Sequence, residues 1–433
     1  MAVSRPTFRE ALRFWLKLGF ISFGGPTGQI AIMHTELVEK RKWIGEQRFM
    51  HALNFCMLLP GPEAQQLATY CGWLLHRTWG GIVAGTLFVL PAAVLLWGLA
   101  WIYATYGAVP WIAALFYGLK PAVVAIVAVA VLRIGRRVLT RPVHWVIALT
   151  AFVAIFFLHV PFPAIIVGAA VAGILIGRWQ PGQFSAMHGH AGTATAVIDD
   201  RENTFDHLRP SWGRALRVVV VAGALWWLPV LAVGYWQGWD GTLAQIGFFF
   251  SKAAMVTFGG AYAVLPYVAQ QAVETYGWLT PAQMLDGLGL AEAKPGPLIM
   301  VVQFVGFLGG WNQSGALSPF WAATLGAMLA TWVTFVPCFL WIFLGAPHIE
   351  QLRGHVGLHH ALTAVTAAVV GVVLNLAVWF GWHVFVPQAG APDWLAVGLA
   401  GIAFAALHWL KAGTVTVVIG GALVGGALGW MGV

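Results

Sequence analysis

Apolar residues run along this chain in blocks of membrane-crossing length, and polar residues gather in short clusters between the blocks. A block of roughly 20 apolar residues, wound as a helix, crosses a hydrocarbon core about 30 Å thick. Such blocks follow one another from Phe14 to the C-terminus and leave no room for a soluble domain, so the pattern predicts an all-α polytopic membrane protein. Some blocks are interrupted. "ISFGGPTGQ" (Ile21–Gln29) carries glycines and a proline where an unbroken helix is expected, and "VTFGGAYAV" (Val256–Val264) repeats the break. Pro60-Gly61-Pro62 and Pro295-Gly296-Pro297 interrupt two more blocks. Free peptide groups are costly in lipid, so broken backbone at membrane depth belongs only where protein buries it or water reaches it.

The interruptions keep one register. Adding 235 to a residue number maps Phe23-Gly24-Gly25 onto Phe258-Gly259-Gly260 and Pro60-Gly61-Pro62 onto Pro295-Gly296-Pro297. The same offset pairs Phe14 with Phe249, Lys17 with Lys252, Glu39 with Glu274 and Trp43 with Trp278, giving twelve identities over the 49 positions 14 to 62. The chain therefore reads as a duplication: 5–180 is the first repeat, 181–214 a cytoplasmic linker, 215–236 an added transmembrane helix without a partner in the first repeat, and 240–433 the second repeat. Gly and Pro interruptions at corresponding places in two halves are the sequence mark of a transport site at a repeat interface.

Composition agrees with the class. Of 433 residues, 60% are hydrophobic and 9% charged, against about 25% charged in soluble domains. The start, "MAVSRPTFREALRFWLKLGF", lacks a clean apolar core and a small-residue cleavage site, and is expected to be mature sequence and not a signal peptide. A net charge of +8 is the topogenic excess expected of short cytoplasmic loops, and no nucleic-acid partner is expected. Cys56, Cys71 and Cys338 lie in apolar runs without paired spacing, so neither a disulfide framework nor a zinc site is suggested. The histidines of "MHGHAG" (Met187–Gly192), with His355 and His359, lack a convergent ligand set. Neither a metal nor a cofactor is expected.

Loop charge sets the topology. "EKRKWIGEQR" (Glu39–Arg48), "RIGRRVLTR" (Arg133–Arg141) and the stretch from Arg178 to Arg217 are basic and are placed in the cytoplasm. In the second half "ETYGWLTPAQ" (Glu274–Gln283) carries no Lys or Arg, and "GAPHIEQLRGHVGLHH" (Gly345–His360) carries Arg353 where the first half has neutral "YGAVP" (Tyr106–Pro110). The repeats are thus expected to be inverted, with 215–236 supplying the odd crossing. If Glu39–Arg48 and the His76-Arg77 turn share one side, 46–76 enters and leaves there as a re-entrant hairpin, and 11–36 does the same with its turn at Phe23-Gly24-Gly25. Each half then has two hairpins followed by about four full crossings. Ordinary kinked crossings are the competing model; they keep the inversion but put a basic loop outside, and hairpins are preferred.

A half-helix that starts at a tip offers unpaired N–H groups and the positive end of its dipole, which attract an anion. Gly24, Gly25, Gly259 and Gly260 permit close backbone approach; Phe23 belongs to the same tip, and Ser22 and Thr257 add matched hydroxyls. FGG as a mere helix-packing motif is the alternative. Charges at membrane depth are the second signal. Lys17 and Lys252, six residues before each FGG, are the first candidates to neutralise an anion. Lys294 precedes the second PGP; Lys120 in "GLKPAVVA" is expected to snorkel. Glu63 and Glu292 are candidate proton-coupling acids, with helix-end complementarity for Glu63 and ion pairing with Lys294 for Glu292 as equal alternatives. Gln65, Gln66 and Gln303 offer amide donors, or bonds across helices.

"SFGGPTGQ" with "LLPGPEAQQLA", and the diverged "TFGGAYAVLPY" with "AKPGPLIMVVQFVG", resemble the chromate ion transporter family in its long bidomain form, over nearly the whole chain. The resemblance implies a multi-pass bacterial inner-membrane exporter of chromate, driven by the proton-motive force and conferring chromate resistance, with sulfate as the related dianion. Ala261 stands where the first half has Pro26, so the two tips need not contribute equally. The implied site joins Lys17, Ser22, Phe23, Gly24, Gly25, Gln66, Lys252, Thr257, Gly259, Gly260 and Lys294 with both PGP tripeptides. The bilayer, chromate, sulfate and protons or a counter-ion are the expected partners, and a homodimer is compatible. A passive oxyanion channel and a sulfate transporter are the alternatives. A membrane-bound chromate reductase fits less well, because the chain has no haem-type His pairing, dinucleotide fingerprint or cysteine cluster.

Overall fold

The structure, a computed structural model, describes residues 6–180, 211–348, 356–387 and 390–431. The described residues form 16 α-helices with short π and 3-10 turns. Helix α1 (Phe8–Ile21) opens on a capping box, in which the Thr7 hydroxyl accepts the Glu10 amide and the Glu10 carboxylate accepts the Thr7 amide. It is followed by α2 (Gly25–His34), a π turn (Thr35–Lys40) and α3 (Glu46–Leu58). Helix α4 (Glu63–Tyr106) is broken at His76 and Arg77 into limbs 63–75 and 78–106. Then come α5 (Pro110–Val138), α6 (Pro142–Phe156), α7 (Phe162–Trp179) and α8 (Trp212–Gln237). The second half repeats the opening: α9 (Thr242–Met255), α10 (Ala261–Gln270), a π turn (Gln271–Thr275), α11 (Pro281–Ala293) behind a Thr280/Gln283 capping box, and α12 (Val301–Asn312). Helices α13 (Pro319–Gly345), α14 (Val356–Phe385), α15 (Trp394–His408) and α16 (Thr414–Trp430) complete it.

Two length classes result. Helices α1, α2, α3, α9, α10, α11 and α12 have 14, 10, 13, 14, 10, 13 and 12 residues. At about 1.5 Å per residue none reaches across a core of about 30 Å. Six helices among the described residues, α4, α5, α7, α8, α13 and α14, are long and apolar enough to cross. The hairpin reading expects nine crossings, and its other three, α6, α15 and α16, are apolar but have 15, 15 and 17 residues. They lie against longer helices, which shield part of their surface: α6 and α7 pack on α14, while α15 and α16 pack on α5. The added helix begins at Trp212, earlier than the expected 215, and lies against α9 and α13. Residues 181–210 of the expected linker, and with them the histidines of 187–192, fall outside the described residues, as does His355.

Side-chain neighbours fix the depth of the tips. The Phe8 ring meets the edge of His76, and the His76 ring nitrogen bonds the Pro6 carbonyl at 3.0 Å; farther along, Gly19 abuts the Leu87 carbonyl. Helix α1 and the second limb of α4 therefore start at one level and run the same way. The first limb of α4 folds back on the second through Gly72 against Gly80, while Gly85 faces Thr69 and Gln65. Both tips of the first half thus stop beside residues 87–92, the middle of limb 78–106. In the second half α12 folds back on α13 with Gly306 against Gly326. The second limb of α4 and α13 run antiparallel: Gly81 faces Phe343, Gly85 faces Phe339, and the Trp97 indole donates to the Thr324 hydroxyl at 3.2 Å.

The Gly72/Gly80 and Gly306/Gly326 crossings bring backbones together without room for a side chain. Gly80→Leu and Gly326→Leu are expected to cost about 1–3 kcal/mol each, the range for overpacking, and to lower the thermal midpoint of the detergent-purified protein by several degrees. Gly168→Leu, where nothing lies within 4 Å of the new Cβ, is the control and should leave the midpoint in place.

Candidate functional site

Four breaks in the helices converge. Past Ile21 the chain turns through Gly24 and Gly25 at φ +86° and +67°, and past Met255 through Gly259 and Gly260 at +79° and +95°, values that L side chains resist. Gly61 and Gly296 do the same in the Pro-Gly-Pro breaks, at +119° and +89°. Pro62 and Pro297 then hold an extended conformation from which α4 and the 3-10 turn before α12 start.

The breaks are tied across the two halves in a reciprocal pattern. The Gly61 amide donates to the Thr257 carbonyl at 2.8 Å, and the Gly296 amide donates to the Ser22 carbonyl at 2.7 Å. Adding 235 to the donor and acceptor numbers of one half turns the first-half partners into the second-half ones. Each Pro-Gly-Pro also leans on the long helix of the other half: Gly61 faces the Cys338 sulfur and Gly296 faces Ala92, the residues that follow Pro337 and Pro91. The Gln29 amide donates to the Gly296 carbonyl at 2.8 Å, and the Gln66 amide to the Pro60 carbonyl at 2.8 Å.

The two kinds of tip differ in access. Gly61, Pro62 and Pro295 to Pro297 are buried, whereas Phe23, Gly24 and Gly259 are exposed. No atom stands within 4 Å of the place a Cβ of Gly25 would take, and only Thr366 approaches that of Gly259, at 3.9 Å. Space is therefore open beside Gly25 and Gly259, at helix ends that carry the positive end of the dipole. Two carboxylates stand at the start of α10, behind the second of these tips, and Lys294 adjoins the Pro-Gly-Pro tied to the first. The Glu63 carboxylate points at the start of α10, its Oε1 3.5 Å from the Cβ place of Gly260. Glu292 accepts a hydrogen bond from the Tyr262 hydroxyl. Lys294, 3% exposed, donates to the Pro295 and Pro297 carbonyls at 3.2 Å each, a loose arrangement that leaves its charge without a carboxylate in direct contact.

Several expected site residues sit elsewhere. Lys17 and Lys252 are exposed and are not brought to the tips; the Lys252 ammonium lies over the Phe248 ring at 5.5 Å. The Ser22 and Thr257 hydroxyls are at the tips, but each donates to the carbonyl four residues earlier, Leu18 and Ala253, at 2.6 Å. A hydroxyl has one proton, so neither has a donor left for an anion. Glu292 is held by Tyr262 and not by a direct bond to Lys294. Gln65 donates to Thr69, and Gln303 donates to the Ala93 carbonyl across the halves. The sequence reading missed Asp286, buried on α11, which accepts the Tyr103 hydroxyl at 2.8 Å and faces Lys120 at 3.8 Å. Lys120 therefore points to an acid where snorkelling was expected. A lone acid in the apolar run "MLDGLGL" was the available signal. Among the described residues no group of three or more His, Cys, Asp or Glu is placed to hold a metal.

A family model described as chromate transporter matches residues 9–174 and 244–426. A chromate transport protein of Pseudomonas aeruginosa is 31% identical over 427 residues, covering 96% of this chain and 90% of that protein. A chromate transport protein of Cupriavidus metallidurans is 29% identical over 377 residues, covering 86% and 82%. The uncharacterized transporter YwrA of Bacillus subtilis is 25% identical over 180 residues, which is 41% of this chain but 92% of that protein. No solved structure matches.

Gly61→Ala is expected to lower stability and transport together, by about 1–3 kcal/mol in the thermal or denaturant transition, because the methyl group meets the Cys338 sulfur in a backbone conformation that suits glycine. Cys338→Ala in the same chain removes the clash and should restore part of the loss. An additive double variant would mean that the contact across the halves carries no weight.

Proposed function

The chain belongs to the chromate transporter family, and we propose that it exports a tetrahedral oxyanion, chromate in the first place, from the cytoplasm of a bacterium in exchange for protons. It is a membrane transporter of that family and not an enzyme. In this reading the two matched segments are inverted repeats in the inner membrane, and the four short helix pairs are re-entrant hairpins whose tips meet near mid-membrane. The observation that carries the reading is the reciprocal bonding of the tips, Gly61 to Thr257 and Gly296 to Ser22. The antiparallel run of limb 78–106 against α13 supports the inversion, and a relative nearly spanned by 41% of this chain supports the duplication.

The dianion is held at the exposed FGG tips by the leading amides of α2 and α10, with the Lys294 ammonium, on the Pro-Gly-Pro tied to Ser22 of the first tip, balancing one of its charges. Glu63 shares the start of α10, so its carboxylate competes with the substrate for the same positive end. Protonation of Glu63 frees those amides, and its deprotonation expels the anion. Exchange in opposite directions requires the two ions to reach the tip from opposite sides: Glu63 takes its proton from outside as the dianion arrives from the cytoplasm, and gives it up to the cytoplasm as the returning carboxylate expels the dianion outward. Glu292, held by Tyr262, is the second acid beside the path. Rocking of one half against the other, about tips joined by three hydrogen bonds, exposes the site to the two sides in turn. Sulfate, of the same shape and charge, competes.

The test uses proteoliposomes with the cytoplasmic face outward and radiolabelled chromate. Uptake above equilibrium when the lumen is acid, reduced by excess sulfate, is the expected result; uptake that stops at equilibrium means a channel, and sulfate uptake without chromate means another substrate. Lys294→Met is expected to raise the chromate KM about tenfold, the equivalent of about 1.4 kcal/mol. Glu63→Gln is expected to abolish the dependence on the proton gradient, and unchanged pH-dependent transport in that variant would remove Glu63 from the coupling step.

A further inference from the structure

The last turns of α5 carry Arg133, Arg136 and Arg137, a spacing of three and four that places all three on one face of the helix. Opposite them stand the end of α15 and the loop that follows, which bring His408 and Lys411. The five side chains line one cavity of about 470 Å³, walled by Val129, Leu132 and Leu407. No acid lines it, and among the described residues no carboxylate pairs with Arg133, Arg136, Arg137 or Lys411. Lys411 is held at φ +54°, an uncommon conformation for a long side chain. Like charges gathered around a concavity repel one another, so the arrangement is completed by an anion. At about 30 Å³ per water the cavity has room for an oxyanion with its first hydration shell.

Position gives the cavity a purpose. Gly135, between Arg133 and Arg136, touches Val370 of α14, its Cβ place 3.6 Å from the Val370 methyl. One helical turn earlier on α14, Thr366 is the neighbour of Gly259. The end of α5 that carries the arginines therefore meets α14 about one turn along from the contact of α14 with the second tip. The charge of Arg137 acts on Glu63 and that of Arg133 on Glu292, so the field of the cavity reaches both acids. Basic residues at a helix C-terminus also complement its dipole and mark the cytoplasmic side, but those roles require neither a shared concavity nor the convergence of Lys411 from another element.

We propose that the cavity of Arg133, Arg136, Arg137 and Lys411 is a second oxyanion site, an antechamber that takes up a tetrahedral dianion such as chromate or sulfate from solution before it passes to the tips. This rests on the oxyanion-transport reading above. A cationic concavity raises the local anion concentration and the rate of encounter, and its effect weakens with salt. Its signature therefore lies in KM and in ionic strength more than in turnover.

The test compares the wild-type chain with Arg136→Gln/Lys411→Gln and with Arg133→Gln, in vesicles of phosphatidylcholine alone and in vesicles containing phosphatidylglycerol. The expected result is a chromate KM raised about tenfold by the double variant and less by the single one, turnover at saturating chromate falling less than twofold, and a flatter fall of uptake with added salt, in both lipids. An unchanged KM, or an effect confined to the phosphatidylglycerol vesicles, would overturn the proposal, the latter assigning the cavity to a lipid headgroup. Equilibrium binding of radiolabelled sulfate to the detergent-purified protein separates this failure from failure of the transport reading. Two equivalents in the wild-type chain, one of them lost in the double variant and retained in Lys294→Met, support the antechamber even if chromate is not moved; one equivalent, unaffected by the double variant, sinks it.

Discussion

A peptide group that leaves its helix inside a membrane must find another partner, and this chain meets that demand by exchange. Gly61 of the first half has its amide satisfied by Thr257 of the second, and Gly296 of the second by Ser22 of the first. Neither half satisfies the glycine amide of its own Pro-Gly-Pro break. The same dependence recurs away from the tips, where α5 packs on α15 and α16 of the second half and α14 packs on α6 and α7 of the first. The two halves are interleaved, and the mid-membrane breaks are stable only in each other's presence.

The energies suit a moving part. A net intramolecular hydrogen bond contributes about 0.5–1.5 kcal/mol, and leaving a buried group unpaired costs about 1–3 kcal/mol. Three such bonds, the two glycine amides and Gln29 to the Gly296 carbonyl, keep the tips in register without locking them. The glycine crossings are of another kind: Gly72 on Gly80 and Gly306 on Gly326 bring backbone onto backbone over whole turns, and close packing of that sort has few alternative arrangements. The helix hairpins therefore act as stiff units and the tips as the joint between them. Phe23, Gly24 and Gly259 of the FGG tips are the exposed part of the joint, while the Pro-Gly-Pro tips are its buried part.

Much of this was legible because the breaks are rare residues in a fixed register. Beyond them the register fails: Gly80 corresponds to Gly326, Pro91 to Pro337 and Ala92 to Cys338, all at an offset of 246 and not 235. Extra residues around the loop between α12 and α13 hide the rest of the repeat from a single-offset comparison. Identity between repeats also misled. Lys17 and Lys252 match, but six residues before a tip is well past one turn, and at about 3.6 residues per turn it falls on a different face of the helix. Asp286 escaped notice for the opposite reason, since its counterpart is His51 and no repeat drew attention to it. Hydroxyl donation by Ser22 and Thr257 into their own helices is a local competition that residue type alone does not reveal.

The duplication is symmetric in backbone and asymmetric in charge. Behind the second tip stand Tyr262 and Glu292, whose counterparts at the first are Thr27 and Met57, and Lys294 has Leu59 as its counterpart. Glu63 belongs to the first half yet its carboxylate lies at Gly260 of the second, while its own counterpart is Leu298. A pair of equivalent tips would offer two weak dipolar sites and no means of choosing between an anion and a proton. Glu63 and Glu292 both bring a carboxylate to the first turn of α10. The two halves thus share the glycines that both tips need for their turns and differ in the ionisable groups that stand beside them.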